Sequence, residues 1–254
     1  MDLAWTRSLR HWMRQYRRTW RGSALGSFVV PLLNLSVLGF GLGALVKTGS
    51  QVTTDYVSFV APALLAAAAL QTASAVATFP VVAAMRGQRV YQAMAMTPLR
   101  PLDILLGHLA FMTLRVLLTA VVFSGFLVCL GLLTVGSAVL ALGAATLCGL
   151  GTAAPVTALA AHARNDAAIP ILMRFVITPM FLFCGTLYPV TLMPAAVRPV
   201  IWLTPLYHGI ELCRGFARSG LAATGVAWHV LVLGAWLAGG VMLAERVFRK
   251  RLAQ

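Results

Sequence analysis

Only six carboxylates occur in 254 residues, Asp2, Asp55, Asp103, Asp166, Glu211 and Glu245, and charged side chains make up just 10% of the chain. So little charge excludes an ordinary water-soluble domain of this size, in which about a quarter of residues are charged. It also leaves little material for acid–base chemistry. There is no G-x-x-x-x-G-K-[ST] loop, so the usual means of binding and hydrolysing ATP is missing. The four cysteines, Cys129, Cys148, Cys184 and Cys213, form no C-x-x-C pair and have no histidine at metal-ligand spacing. A disulfide framework or zinc site is not expected from them, and they read as small buried hydrophobes. No metal and no cofactor is expected on this chain.

What is abundant is apolar. Hydrophobic residues make up 60% of the sequence and the mean hydropathy is +0.86, which defines an all-α integral membrane protein. A spanning helix needs about 20 largely apolar residues, and six stretches qualify: 26–46, 58–83, 104–128, 137–161, 170–188 and 224–244. The formal charge of +14 would suggest nucleic acid in a soluble chain. Here the basic residues gather in short segments between apolar runs, which is a topology signal, so no nucleic-acid partner is expected. Segments 1–25, 84–103, 162–169 and 245–254 hold fourteen Lys and Arg, whereas the opposite set holds Lys47, Arg198, Arg214 and Arg218. That bias places both termini in the cytoplasm. The first 24 residues carry six arginines and no apolar run of signal-peptide length, so no cleaved leader is expected.

Residues 3–21 have a pattern of their own. Trp5, Leu9, Trp12, Met13, Tyr16 and Trp20 recur at helical spacing on one side, and Arg7, Arg10, Arg14, Arg17, Arg18 and Arg21 on the other. Such an amphipathic helix is suited to the inner headgroup layer, where each basic residue gains about 1 kcal/mol from anionic lipid. Within the spans, Arg115 lies about 16 Å along its helix from Ile104, near the midplane. A charge there is costly and faces a protein interior or wet cavity; a place on the cargo route and a purely structural pairing are both open. Arg174 is close enough to its span's start to snorkel. Asn34 is a further intramembrane polar residue. The "GFGLG" run after it lacks the context of a phosphate loop and reads as close packing. Ala141, Ala145 and Gly149 form a small-residue stripe that would admit a neighbouring helix.

Two connecting segments carry the remaining signal. In "MRGQRVYQAMAMTPLRPLDILLGHL", residues 88–96 suit a short helix with Val90, Met94 and Tyr91 on one side, stopped by Thr97 and Pro98, with Asp103 capping the next span. That helix could dock into another protein's groove or lie on the membrane surface, and physical reasoning alone does not choose. In "PLYHGIELCRG", His208, Glu211 and Arg214 recur every three residues. A catalytic group needs a second positioned residue and an orienting partner. His11, His108, His162 and His229 are scattered and offer no evident shared site with His208, so the triplet reads as polar fastening of a short helix, with no catalytic residue.

"YQAMAMTPLRPLDILLGHL" resembles the coupling segment of bacterial type-2 ABC exporter permeases, the group that includes nodulation lipo-oligosaccharide and daunorubicin-type drug exporters. "LYPVTLMPAAVRPVIWLTPLYHGIELCRG" resembles the same family's segment between its last two spans. With the amphipathic start and six spans, the resemblance covers nearly the whole chain. It implies a bacterial inner-membrane permease with ATP and Mg on a partner chain, two copies of an ABC ATPase subunit, and a second permease copy or a related permease. It also implies an amphipathic, lipid-linked or drug-like cargo. ATPase contact within the coupling loop, 84–103, falls to Arg86, Gly87, Gln88, Arg89, Tyr91, Gln92, Met94, Thr97 and Pro98. Many relatives carry Glu where this chain has Gln92, which leaves an ion pair at that point open. Residues 189–220 are implied to form a re-entrant helical hairpin on the outer side between spans 5 and 6, broken at Pro189, Pro194, Pro199 and Pro205, with His208, Glu211 and Arg214 on it. The alternatives are an integral membrane lipid-modifying enzyme using His208 and Glu211, and an ion-coupled secondary transporter, which would call for inverted repeats or intramembrane carboxylates; neither feature is evident in the sequence.

Overall fold

The computed structural model describes residues 4–24, 26, 29–41, 56–163, 165, 167–218, 220 and 222–252, and every regular element among them is helical. Helix α1 (Ala4–Ala24) is followed by α2 (Val30–Asn34), which continues as a π-helical stretch, Leu35–Gly41. The expected first span reaches to residue 46, and its last part lies outside the described residues. Helix α3 (Tyr56–Ala77) runs on through α4 (Phe79–Val82) and a π turn (Ala83–Gly87), a length of 32 residues with one break at Thr78. The Thr78 hydroxyl donates to the Ser74 carbonyl at 2.8 Å, and the ring of Pro80, with no N–H to give, follows the break.

Three further helices are long and apolar enough to cross a membrane: α6 (Pro101–Cys129), α7 (Val135–His162) and α12 (Ala223–Leu252). The short α5 (Val90–Ala95) lies between α4 and α6. The alanine-rich faces of α3 and α7 allow close packing. Helix α7 lies against α3, α6 and α12. Along the expected small-residue stripe, Ala141 and Ala145 are fully buried, and a Cβ on Gly149 would stand 3.1 Å from the Ala69 carbonyl oxygen. Interior hydroxyls turn back on their own helices: Thr146, Thr152 and Thr157 each donate to the carbonyl four residues earlier. Polar groups are thereby satisfied without water, as an apolar surrounding demands.

Two expected spans differ in extent. The fifth, placed at 170–188, is a helix of α8 (Ala168–Leu172), a π turn (Met173–Ile177) and α9 (Thr178–Phe183). It ends early because the chain turns through Gly185 at φ +92, a left-handed conformation that glycine adopts freely. The last, placed at 224–244, continues to Leu252, because Ala244 and Phe248 are still buried against the rest of the protein.

Candidate functional site

The start and end of the α3–α4 rod mark two polar regions. At its end, the chain turns at Gln88 and Arg89, the latter at φ 50, and enters α5. Arg86, Gly87, Gln88, Arg89, Thr97 and Pro98 are exposed, and Met94 is half-buried. The Thr97 hydroxyl donates to the Met94 carbonyl at 2.6 Å, ending the helix, and the Arg100 N–H donates to the Asp103 carboxylate at 3.1 Å, capping α6 as expected.

The side expected to face a partner is divided. Tyr91 does not face outward; it is completely buried. Its ring lies 5.9 Å from Trp12 of α1, 6.1 Å from His108 of α6 and 5.1 Å from Phe248 of α12, between ring centroids. Trp12 in turn stacks on Phe111 at 5.9 Å and meets His108 edge-on at 4.4 Å. One aromatic cluster therefore ties α5 to three other helices. Burial pushes the Tyr91 phenol well above its ordinary range, so it stays neutral. Gln92 has a role that glutamate could not fill: its amide donates to the Met85 carbonyl at 2.6 Å, pinning α5 back onto the end of the preceding helix. The most exposed large apolar side chain of the loop is Met96, at 90%, a residue that the sequence pattern does not single out.

Arg115 is buried, with its guanidinium 4.4 Å above the Tyr16 ring. It belongs to the contact between α1 and α6, along which Ser8 Oγ donates to the Ile104 carbonyl at 3.1 Å and Tyr16 meets Phe111. The arginines of α1 are exposed on its other side. Asn34 sits half-buried in α2.

At the start of α3, residues 189–218 contain a 3-10 turn (Val190–Leu192) after Pro189, then α10 (Arg198–Leu203) and α11 (Pro205–Arg218). Pro194 is exposed in the turn between them. Thr204 is extended, as the residue before a proline prefers to be, and separates the two helices. Helix α11 is inserted among α3, α7 and α12, with the Cys148 thiol donating to the Pro205 carbonyl and the Cys213 thiol to the Ala141 carbonyl, both at 3.6 Å. Arg214 fastens it. Its Nε donates to the Phe59 carbonyl at 3.1 Å, its Nη2 reaches the Gly185 and Thr186 carbonyls, and Glu211 stands 3.7 Å away. The Tyr56 hydroxyl donates to the Leu187 carbonyl at 2.9 Å in the same place.

His208 does share a site with another histidine, contrary to expectation. Its Nδ1 lies 2.7 Å from Nδ1 of His229 and its Nε2 lies 2.8 Å from the Trp202 carbonyl oxygen. A carbonyl only accepts, so Nε2 of His208 carries hydrogen. In the neutral pair, Nδ1 of His208 is then the acceptor and His229 the donor. The pair has no signature in the sequence because 21 residues separate its members and only the packing of α11 on α12 brings them together.

Four helices long and apolar enough to cross a membrane, with buried hydroxyls such as those of Thr146, Thr152 and Thr157 bonded to their own backbone, define a multi-pass membrane protein. The family model for ABC-2 type transporters matches residues 8–216, and the chain belongs to that family. It is similar to Nodulation protein J of Bradyrhizobium diazoefficiens, with 28% identity covering 95% of this chain and 92% of that protein. Nodulation protein J of Rhizobium leguminosarum bv. viciae is 27% identical, covering 95% of each chain, and that of Sinorhizobium fredii is 29% identical, covering 95% and 92%. The chain is thus a transport membrane component, and its family implies a partnering ABC ATPase subunit.

Proposed function

We propose that this protein is the permease subunit of an ATP-driven exporter, moving an amphipathic, lipid-linked or drug-like cargo out of the cytoplasm or inner leaflet. Two permease copies, or one and a related permease, work with two ATPase subunits that bind ATP and Mg. The four long helices, with the shorter apolar helices Val30–Gly39 and Ala168–Phe183, provide six spans, and both termini are cytoplasmic. Helix α1 lies at the inner membrane surface with its arginines toward headgroups. Residues 189–220 form the outer re-entrant segment.

The observation that carries the reading is the build of the α5 loop. Exposed residues from Arg86 to Arg89 and Met96 to Pro98 offer a docking edge, while Tyr91 reaches from the same helix into the aromatic cluster. A push on the edge is delivered to α1, α6 and α12 at once, because a packed interior moves as bodies and does not absorb the displacement. The enzyme reading loses ground because His208 has both ring nitrogens engaged.

The test is reconstitution with its ABC ATPase partner and measurement of cargo-stimulated ATP hydrolysis. Met96→Glu is expected to lower stimulation at least several-fold while leaving the permease folded, since an unpaired charge pressed into an apolar contact costs a few kcal/mol. Full stimulation in an assembled Met96→Glu complex would overturn the docking edge, and failure of any ATPase to assemble would overturn the exporter reading.

A further inference from the structure

We propose that the pocket between α10, α11 and the start of α3 is a binding site for the anionic headgroup of an amphiphile. The cavity is about 410 Å³ and is lined by Arg198, Arg214, Arg218 and one carboxylate, Glu211. That size lies in the range of small-ligand sites, about 300–1,000 Å³. Three guanidiniums against one carboxylate leave the lining with a surplus of two positive charges.

Carbonyls hold two of the guanidiniums in place, and Glu211, 3.7 Å from Arg214, offsets only one of the three charges. Arg198 donates to the Met193 and Thr191 carbonyls at 2.9 and 2.7 Å. Arg214 is held by carbonyls of Phe59, Gly185 and Thr186. Carbonyl dipoles fix direction, yet the net charge persists. Arg214 and Arg218 also crowd one ring, with their guanidinium carbons 3.7 and 5.6 Å from the centroid of Phe59. The Arg218 charge acts against that of Arg214, a cost that a bound anion would relieve. Burial and the Arg218 charge both lower the Arg214 pKa, which Glu211 raises, to about 10. Trp202, 52% exposed, and Phe59 add apolar walls, so the cavity offers both a charged floor and a greasy side. Planar guanidiniums preferentially bind phosphate and carboxylate. A zwitterionic headgroup would bring its own cation into a cationic site and gain less.

The proposal relies on the exporter reading only for calling this side outer, and its test needs no transport. Full-length permease in phosphatidylcholine nanodiscs is titrated with dihexanoyl phosphatidylglycerol, dihexanoyl phosphatidylcholine or inorganic phosphate, following tryptophan fluorescence. Phosphatidylglycerol is expected to bind in preference to phosphatidylcholine and to weaken with salt. Arg218 is exposed at the end of α11 and lies against the Phe59 ring, so Arg218→Gln is expected to stay folded and bind roughly tenfold more weakly, with Arg218→Lys retaining most of the affinity. Arg18→Gln on exposed α1 is the control for general membrane electrostatics and is expected to match wild type. Competition by inorganic phosphate would support a site for a free anion as well as a headgroup; phosphatidylglycerol binding without such competition would support a site that needs the apolar body. Equal binding of the two lipids, or unchanged binding by Arg218→Gln, overturns the proposal, while export could still be intact.

Discussion

Tyr91 and Phe248 pack with their ring centroids 5.1 Å apart and their planes at 60°, so α5 rests directly on the far end of α12. Both residues are completely buried, and the Tyr91 hydroxyl finds no hydrogen-bond partner among the described residues. The ring and the hydroxyl should therefore behave differently. Tyr91→Phe is expected to be neutral or stabilising by up to about 1 kcal/mol, since it removes an unsatisfied group, whereas Tyr91→Ala opens a core cavity costing about 3–5 kcal/mol. Thermal unfolding of the two purified permeases checks this, and a clear loss in Tyr91→Phe would show that the hydroxyl has a partner.

The His208–His229 contact gives the packing of α11 on α12 a pH dependence. Burial lowers the His208 pKa below its ordinary 6.5, so the folded protein holds it neutral while the unfolded chain takes up a proton near 6.5. The stability it contributes is complete above about pH 6.5 and is lost as pH falls further. A fall in the unfolding temperature between about pH 7 and 5 is expected, and it should shrink in His208→Gln. If the two proteins followed the same curve, other groups would be responsible.

Arg214 and Glu211 should not be equal partners, although the sequence pattern suggests that they fasten the segment together. The carboxylate is 3.7 Å away with about a third of its side chain exposed, at 32%, whereas the guanidinium is bonded to buried carbonyls. Glu211→Gln is expected to cost less than about 1 kcal/mol. Arg214→Leu would leave those carbonyls and Glu211 without their cation, at about 3–5 kcal/mol. Comparable losses in unfolding temperature for the two variants would mean that the ion pair, and not the carbonyl bonding, holds α11.

The long helices could be read from the sequence because an apolar run of this length has few other uses, and Asp103 marked the start of α6 through local capping chemistry. The amphipathic pattern of α1 was equally plain, but read as a helix for the headgroup layer it did not say that Trp12 and Tyr16 pack on Phe111 of α6 while Trp20 stays exposed. What could not be read was direction within short elements. Six residues of α5 give too little periodicity to say that Tyr91 points inward and Met96 outward. The early end at Phe183 depended on a single left-handed glycine. Contacts between distant segments, such as His208 with His229 or Arg115 with Tyr16, carry no local signature, because packing alone sets them.

Gly107 shows how a residue unremarkable in the sequence becomes exacting in the fold. A Cβ placed there would stand 2.4 Å from Ser8 Cβ and 2.7 Å from the Trp5 carbonyl oxygen, both on α1. The backbone oxygen cannot rotate aside, so Gly107→Ala must lift α1 from α6. That shift strains the Ser8–Ile104 hydrogen bond and the Trp12–His108 contact beside Tyr91. Overpacking of this kind costs about 1–3 kcal/mol. Gly125 is on the same helix, and a Cβ there would meet nothing within 4 Å among the described residues, so Gly125→Ala should gain up to about 1 kcal/mol from helix propensity. Because α1 is one of the three helices that Tyr91 touches, Gly107→Ala is also expected to reduce cargo-stimulated ATP hydrolysis in a complex that still assembles. Unfolding temperature and stimulated hydrolysis measured on both variants decide the matter: if Gly107→Ala behaves like Gly125→Ala in each, α1 is not clamped to α6 and cannot be part of the path from the loop.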